Sequence, residues 1–160
     1  MTDDLKLQDL DDVDRRILEL LQEQGRISNA DLARHTGLSA PAIHARIRRL
    51  EEKGVIRAYV ALLEREAVGF DMLCFINVSI QIHQPDAVAA FREAIQHMPQ
   101  VLECYHVTGE YDYLLKVVIR NRKDLERFVV DQLTPVPGIA HIHTSLALAE
   151  VKATTALPLD

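Results

Sequence analysis

Residues 28–54, SNADLARHTGLSAPAIHARIRRLEEKG, contain two short helical patterns separated by a glycine turn, and their reading decides the first half of the fold. Ser28 with Asp31 three residues later is a capping-box-like start. The helix it opens carries Leu32 and Ala33 inward and stops at Thr36-Gly37. Ser39 is an N-cap for the next helix, where Pro41 is tolerated in the first turn because an N–H there would have no intrahelical partner. Ile43, Ile47 and Leu50 recur at helical spacing as a buried stripe, and Gly54 ends the run. Two short helices joined by a Gly-containing turn form a helix-turn-helix signature, whose second helix is suited to a DNA major groove. At about 100° per residue, the stripe leaves Pro41, Ala45 and Arg48 on the opposite face, flanked by His44 and Arg49.

Upstream, Asp11 is an N-cap with Asp14 three residues on, and Val13, Ile17, Leu20 and Leu21 form one apolar stripe ending near Gly25. Charge agrees with a reading head in this region. Residues 1–25 carry a net charge of −5, residues 26–57 of +4 and residues 61–160 of −5, within a chain total of −6. Arg46, Arg48 and Arg49, followed by Lys53 and Arg57, cluster where DNA would lie, on an otherwise acidic body. An ordinary three-helix bundle with charges coating its exposed faces is the alternative that charge alone leaves open.

Beyond Gly54 the periodicity changes. Val55 to Leu63 reads as an extended arm and Glu64 to Asp71 as a connector. From Cys74 to Ile82 apolar residues alternate with Phe75, Asn77, Ser79, Gln81 and His83, the pattern of a strand with one apolar face. Its second face is mostly polar apart from Phe75, which suits a sheet facing another subunit's sheet and predicts at least a dimer. Pro85-Asp86 opens a helix with Val88, Phe91 and Ile95 inward, stopped by Pro99. Val101 to Val107 and Tyr113 to Ile119 read as a hairpin about the turn Thr108 to Asp112. Asn121 with Asp124 caps a helix carrying Leu125, Phe128, Val129 and Leu133, and Ile139 to Val151 is a last strand. The order βαββαβ predicts a ferredoxin-like sheet, hence an α+β chain of two unlike halves. The boundaries expected are 1–60 for the DNA-binding domain, 61–71 for a hinge, 72–155 for the sheet domain and 156–160 for a tail.

The turn Thr108-Gly109-Glu110-Tyr111-Asp112 is a second candidate site. A Gly-containing turn exposes backbone N–H groups able to hold a carboxylate, while Asp112 offers a partner for an ammonium group. Opposite poles this close match an amino-acid zwitterion; a hairpin turn with a capping acid is the alternative. His141 and His143 share a strand face and His106 lies on another strand, but spacing places no acidic partner with them, so no metal site is expected. No nucleophile–base arrangement, Walker loop or dinucleotide fingerprint is present.

The wording of the sequence also resembles a known family. Leu10-Asp11 with Asp14 and Ile17-Leu18, Gln22, Gly25-Arg26, Leu32-Ala33, Gly37-Leu38-Ser39, Arg46-Ile47, Leu50-Glu51 and Gly54-Val55-Ile56 resemble the Lrp/AsnC transcriptional regulators. The likeness continues through Tyr59, Ala61 and the stretch Val107 to Leu115. It implies a winged helix-turn-helix domain binding double-stranded DNA, a hinge, and a βαββαβ domain binding a small effector, an amino acid. It also implies homodimers that assemble to octamers, no cofactor, no membrane association and a cytoplasmic location. Pro41, His44, Ala45 and Arg48 would then face base edges, with Ser39 at the head of the helix and Arg46, Arg49 and Arg57 on phosphates. Thr108 to Asp112 would bind the effector, with Thr144 and Ser145 completing the pocket from a neighbouring strand or subunit. The chain departs from the common pattern at Ser39-Ala40-Pro41-Ala42 and Ala45, so operator preference does not carry over.

Composition narrows the alternatives. The 160 residues are 48% hydrophobic and 26% charged, as in a globular protein, and no apolar run approaches the roughly 20 residues of a membrane-spanning helix. The first thirty residues lack the pattern of a secretory signal. Cys74 and Cys104 are expected as packed, reduced thiols. Two rival functions remain at this level. An architectural DNA-compacting protein would share the reading head but respond to no effector. A siroheme decarboxylase-like enzyme would resemble both halves but carry histidine and arginine in the middle hairpin, where this chain keeps Thr-Gly-Glu-Tyr-Asp.

Overall fold

The computed structural model describes residues 10–81 and 85–159. The strand expectation at Ile82 and His83 lies outside them. The chain divides into two compact units, one built on Met1–Leu62 with Lys152–Asp160 and the other on Leu63–Val151.

In the first unit, α1 (Asp12–Glu23), α2 (Asn29–Thr36) and α3 (Ala40–Glu52) begin where side-chain acceptors meet otherwise unpaired N–H groups. Asp11 accepts from the Asp14 N–H, Ser28 from Asp31 and Ser39 from Ala42. Gly37 closes α2 at φ 72°, a left-handed conformation that a Cβ would disfavour, and this turn aims α3. Leu10, Ile17, Leu18, Leu20, Leu32, Ile43, Ile47 and Leu50 form the core. The arm from Val55 to Leu63 forms no strand, and Val60, Leu62 and Leu63 are each over 70% exposed. An extended segment joins a ladder only where a partner edge exists, and among the described residues the first unit has no strand to supply one. Tyr59 on the arm is tied back to Glu51 of α3; desolvation, then that bond, push its hydroxyl up to about 12.

The second unit is a four-stranded sheet in the order β2-β3-β1-β4. Its strands are β1 (Met72–Ile80), β2 (Val101–His106), β3 (Tyr113–Ile119) and β4 (Ile139–Leu146), and every pairing is antiparallel. Cys74, Ile76, Val78 and Ile80 meet Tyr113, Leu115, Val117 and Ile119 on one face, where Phe91 and Ile95 of α4 (Pro85–Gln96) cover them. Phe128 and Leu133 complete that core. They lie beyond α5 (Arg122–Arg127), in a π-helical turn over Phe128–Leu133. The apolar spacing of Leu125, Phe128, Val129 and Leu133 predicts a regular continuation of α5, which the structure replaces. The wider turn brings two residues five apart onto one buried face, and the Thr134 N–H and hydroxyl both donate to the Val129 carbonyl. β4 also stops earlier than the pattern to Val151 suggests. Leu146 pairs with Cys74 and Ala147 makes one more bond to Leu73, after which the chain leaves β1 with Met72 paired only to Ile119 among the described residues. Cys74 is buried as expected; Cys104, on edge strand β2, is exposed rather than packed.

Candidate nucleic-acid interface and ligand turn

The exposed face of α3 holds Pro41, His44, Ala45 and Arg48, with Ser39 exposed at its head and Arg57 exposed beyond its end. The Ser39 hydroxyl is engaged as the N-cap. Arg48 is 70% exposed and its Nε donates to Glu52 at 2.8 Å, an i,i+4 pair that exchanges readily for another acceptor. Arg46 and Arg49 are held differently. Asp14, at 1% exposure, accepts Arg46 Nη1 on Oδ1 at 2.7 Å and Arg49 Nη2 on Oδ2. Arg46 Nη1 also donates to Asp11 Oδ2 at 2.7 Å. Two carboxylates at the start of α1 therefore clamp two arginines one turn apart on α3. The bond from the Asp14 N–H, and then Arg46, hold the Asp11 carboxyl below its usual range, while those two carboxylates raise Arg46. A carboxylate in the first turn also faces the positive end of the α1 dipole.

In sequence Asp14 is part of a cap and Arg46 and Arg49 are candidate phosphate contacts, so the clamp is not anticipated there. The available signal was spacing: acids at 11 and 14 and arginines at 46 and 49 both repeat at one helical turn, the arrangement two facing helix surfaces need for paired ions.

In the second unit the turn Val107 to Asp112 joins β2 to β3. Gly109 takes φ 127°, open only to glycine without strain, and an added Cβ would meet nothing within 4 Å. Asp112 Oδ2 accepts the Ile80 N–H at 2.7 Å, and the Asp112 N–H donates to the Val78 carbonyl at 3.0 Å. The acid thus docks the hairpin on the end of β1. A carboxylate has about four acceptor sites, so capacity remains for a ligand. Tyr111 stacks on His143 of β4 with ring centroids 6.1 Å apart. Thr144 and Ser145 lie elsewhere. They pair with Ile76 and Phe75, so they point to opposite faces of the sheet. They also sit four and five residues along β1 from Ile80, roughly 13–17 Å at ~3.3 Å per residue. The turn reaches β4 at His143, the residue before Thr144, through Tyr111.

His141 and His143 pair with Ser79 and Asn77 on the sheet face away from the helices, whereas His106 stacks on Tyr113 toward them. Among the described residues no group of three or more His, Cys, Asp or Glu side chains is placed to hold a metal ion. The face bearing His143 also carries Phe75, and a pair in which Lys116 Nζ and the Tyr105 hydroxyl both donate to Glu103, at 3.1 and 2.7 Å. The Tyr105 bond and then Lys116 hold Glu103 below the usual carboxylate range. Among the described residues no helix is long and apolar enough to cross a membrane.

Comparison with known proteins matches both halves in order. Residues 10–57 match the family described as winged helix-turn-helix DNA-binding, and residues 73–157 the Lrp/AsnC ligand binding domain. The chain is 39% identical to the Bkd operon transcriptional regulator of Pseudomonas aeruginosa, over 94% of this chain and 99% of that one. It is 41% identical to the leucine-responsive regulatory protein of Rhizobium meliloti, over 90% and 92%. Among solved structures, a transcriptional regulator of Neisseria meningitidis in complex with L-Met is 38% identical, with a TM-score of 0.92 over 94% of this chain and 97% of that one.

Proposed function

Since the chain belongs to the Lrp/AsnC family of transcriptional regulators, we propose that α3 reads operator DNA while the sheet unit binds a free amino acid that tunes this binding. The observation that carries the reading is the succession of a DNA-binding half and a ligand-binding half along one chain. On the DNA side, Pro41, His44, Ala45 and Arg48 face base edges, with Ser39 beside the backbone. Two of these are apolar and small, so thymine methyl contacts and DNA bending supply much of the discrimination. Arg57 and the outer part of Arg49 contact phosphate, and Arg46 serves mainly to hold α3 on α1. With an operator selected from a random duplex pool, Arg48→Ala should weaken binding by ~1–3 kcal/mol and relax one position, while Arg57→Ala should weaken all sequences alike and reduce the salt slope by about one. Wild-type behaviour of both variants would remove this face of α3 from the interface.

On the ligand side, Thr108 to Tyr111 supply backbone N–H groups for the carboxylate, and Asp112 binds the ammonium. Support for an amino acid comes from the L-Met complex of the Neisseria meningitidis relative. Thr144 and Ser145 on β4 serve the site of a second copy. That makes the assembly at least a homodimer, larger states building on it, and the open sheet face around Phe75 is its contact. A thermal-shift screen of the twenty amino acids, L-methionine first, tests the proposal: a ligand at 100 times its Kd adds ~2.7 kcal/mol. Asp112→Asn keeps an acceptor for the Ile80 N–H but loses the charge, so the hairpin should survive while ligand affinity falls at least ~30-fold, about 2 kcal/mol. No shift with any amino acid would overturn the effector half of the reading. As a regulator the chain is expected to have no catalytic activity and to act in the cytoplasm without a cofactor; adding a tetrapyrrole should leave its absorbance unchanged.

A further inference from the structure

The segment Lys152–Leu159 follows the sheet unit in sequence yet is built into the DNA-binding unit. Gln22 of α1 makes a two-point bond to the backbone of Leu157. Its Nε2 donates to the Leu157 carbonyl at 3.1 Å, and its Oε1 accepts the Leu157 N–H at 2.6 Å. A glutamine amide offers a donor and an acceptor as a peptide does, so it satisfies both polar groups of a backbone that no strand pairs. Two residues on, Leu159 packs against the apolar cluster of this unit, as Val13, Leu21 and Ile56 also do. At the other end, the Ala147 N–H donates to the Leu73 carbonyl at 2.9 Å, extending the β1–β4 pairing by one bond. Leu148 to Ala156, between these anchors, are all exposed. The chain therefore links the two units twice, once at Leu62–Leu63 and again through this segment.

A second link removes freedoms that a single linker leaves, and it makes events at one anchor felt at the other. β4 suits such a role. It is an edge strand that among the described residues is paired with β1 alone, and its His143 stacks on Tyr111 of the ligand turn. A ligand that reorganises the turn thus acts on the strand from which the segment departs. The anchor on α1 is one amide pair and one partly buried leucine, small enough to release and re-form. We propose that Lys152–Leu159 is a coupling strap, which carries the ligand state of the sheet unit to the DNA-binding unit through its anchor on Gln22 and the α1 cluster. This rests on the ligand reading given above.

The test uses the full chain, with Gln22→Leu and Leu159→Ser as independent lesions at the two contacts of the anchor. DNA affinity is measured for each with and without the amino acid giving the largest thermal shift, L-methionine being tried first. Couplings between sites typically span ~5–150-fold. Both variants should bind the amino acid like wild type and bind DNA without it within about threefold, while the ligand's effect on DNA affinity falls by at least about threefold. Amide exchange in α1 should rise with β1 to β4 unchanged, the signature of a released anchor. An undiminished ligand effect in both variants overturns the strap. Loss of ligand-free DNA binding in both also overturns it, because the segment would then be a structural part of the DNA-binding unit. Absence of any ligand effect on wild-type DNA affinity is a different result: it defeats the ligand reading itself, and the strap with it.

Discussion

Asp14→Ala is expected to destabilise the DNA-binding unit by about 2–4 kcal/mol while leaving the sheet unit unchanged. The carboxylate is 1% exposed and accepts from two guanidinium groups, so its removal deletes two charge-assisted bonds and empties its site. Breaking a fully buried pair typically costs ~3–5 kcal/mol. Arg46 and Arg49 are 28% and 47% exposed and rehydrate when released, which places the figure below the top of that range. Losing the clamp also frees α3 to shift on α1, so DNA affinity should fall even where the variant remains folded. Asp14→Asn, retaining one acceptor, should lie between. Asp11 adds a pH dependence of defined sign. Its folded pKa is below the ordinary value of 3.8, so its contribution is present above that value and is lost as the pH falls through the lower folded one. Denaturation followed separately by α1–α3 and sheet signals measures the effect. A loss under ~0.5 kcal/mol, the range of ordinary surface changes, would reduce the clamp to a surface ion pair.

Gly138→Ala should be as damaging in the other unit. Gly138 precedes β4 at φ 87°, and a Cβ built there would lie 2.3 Å from the Ala87 Cβ on α4. Positive φ costs an L-residue ~1–2 kcal/mol and overpacking commonly ~1–3 kcal/mol, a total of about 2–5 kcal/mol. For a unit of this size that lowers Tm by ~10 °C or more. Because the Gly138 carbonyl accepts from the Gln81 N–H, the shift also disturbs the entry of β4. Adding Ala87→Gly removes the opposing methyl and should restore part of the loss, whereas Gly109→Ala, with nothing within 4 Å of its Cβ, should show backbone strain alone. A Tm for Gly138→Ala within ~2 °C of wild type would mean that α4 does not pack on this turn.

Local chemistry was sufficient for the elements. Asp11, Ser28 and Ser39 each supply an acceptor to an N–H three residues away, so the starts of α1, α2 and α3 follow from residues within one turn. Period-two alternation from Cys74 onward fixes which side chains of β1 face the helices, because a one-residue slip would expose them all. The face of α3 carrying Pro41, Ala45 and Arg48 was legible for the same reason, once Ile43, Ile47 and Leu50 set the buried stripe.

What tertiary structure decided concerns partners distant in sequence. The end of β4 and the state of the arm depended on pairing across the chain: β4 leaves β1 once Ala147 has bonded Leu73, and among the described residues Val55 to Leu63 pairs with no strand. The π-helical turn after α5 follows from Phe128 and Leu133 sharing one core, a demand that helical periodicity does not register. Asp14 illustrates the same limit at the candidate interface. In sequence it is an acid three residues after a cap, and only the approach of α3 brings Arg46 and Arg49 to it and buries it. Sequence by itself determined where α1, α2, α3 and β1 lie and which faces are apolar, since those depend on neighbours along the chain. The structure decided which polar groups are satisfied across elements, since burial gives a charge its energetic weight only after packing has chosen its partners.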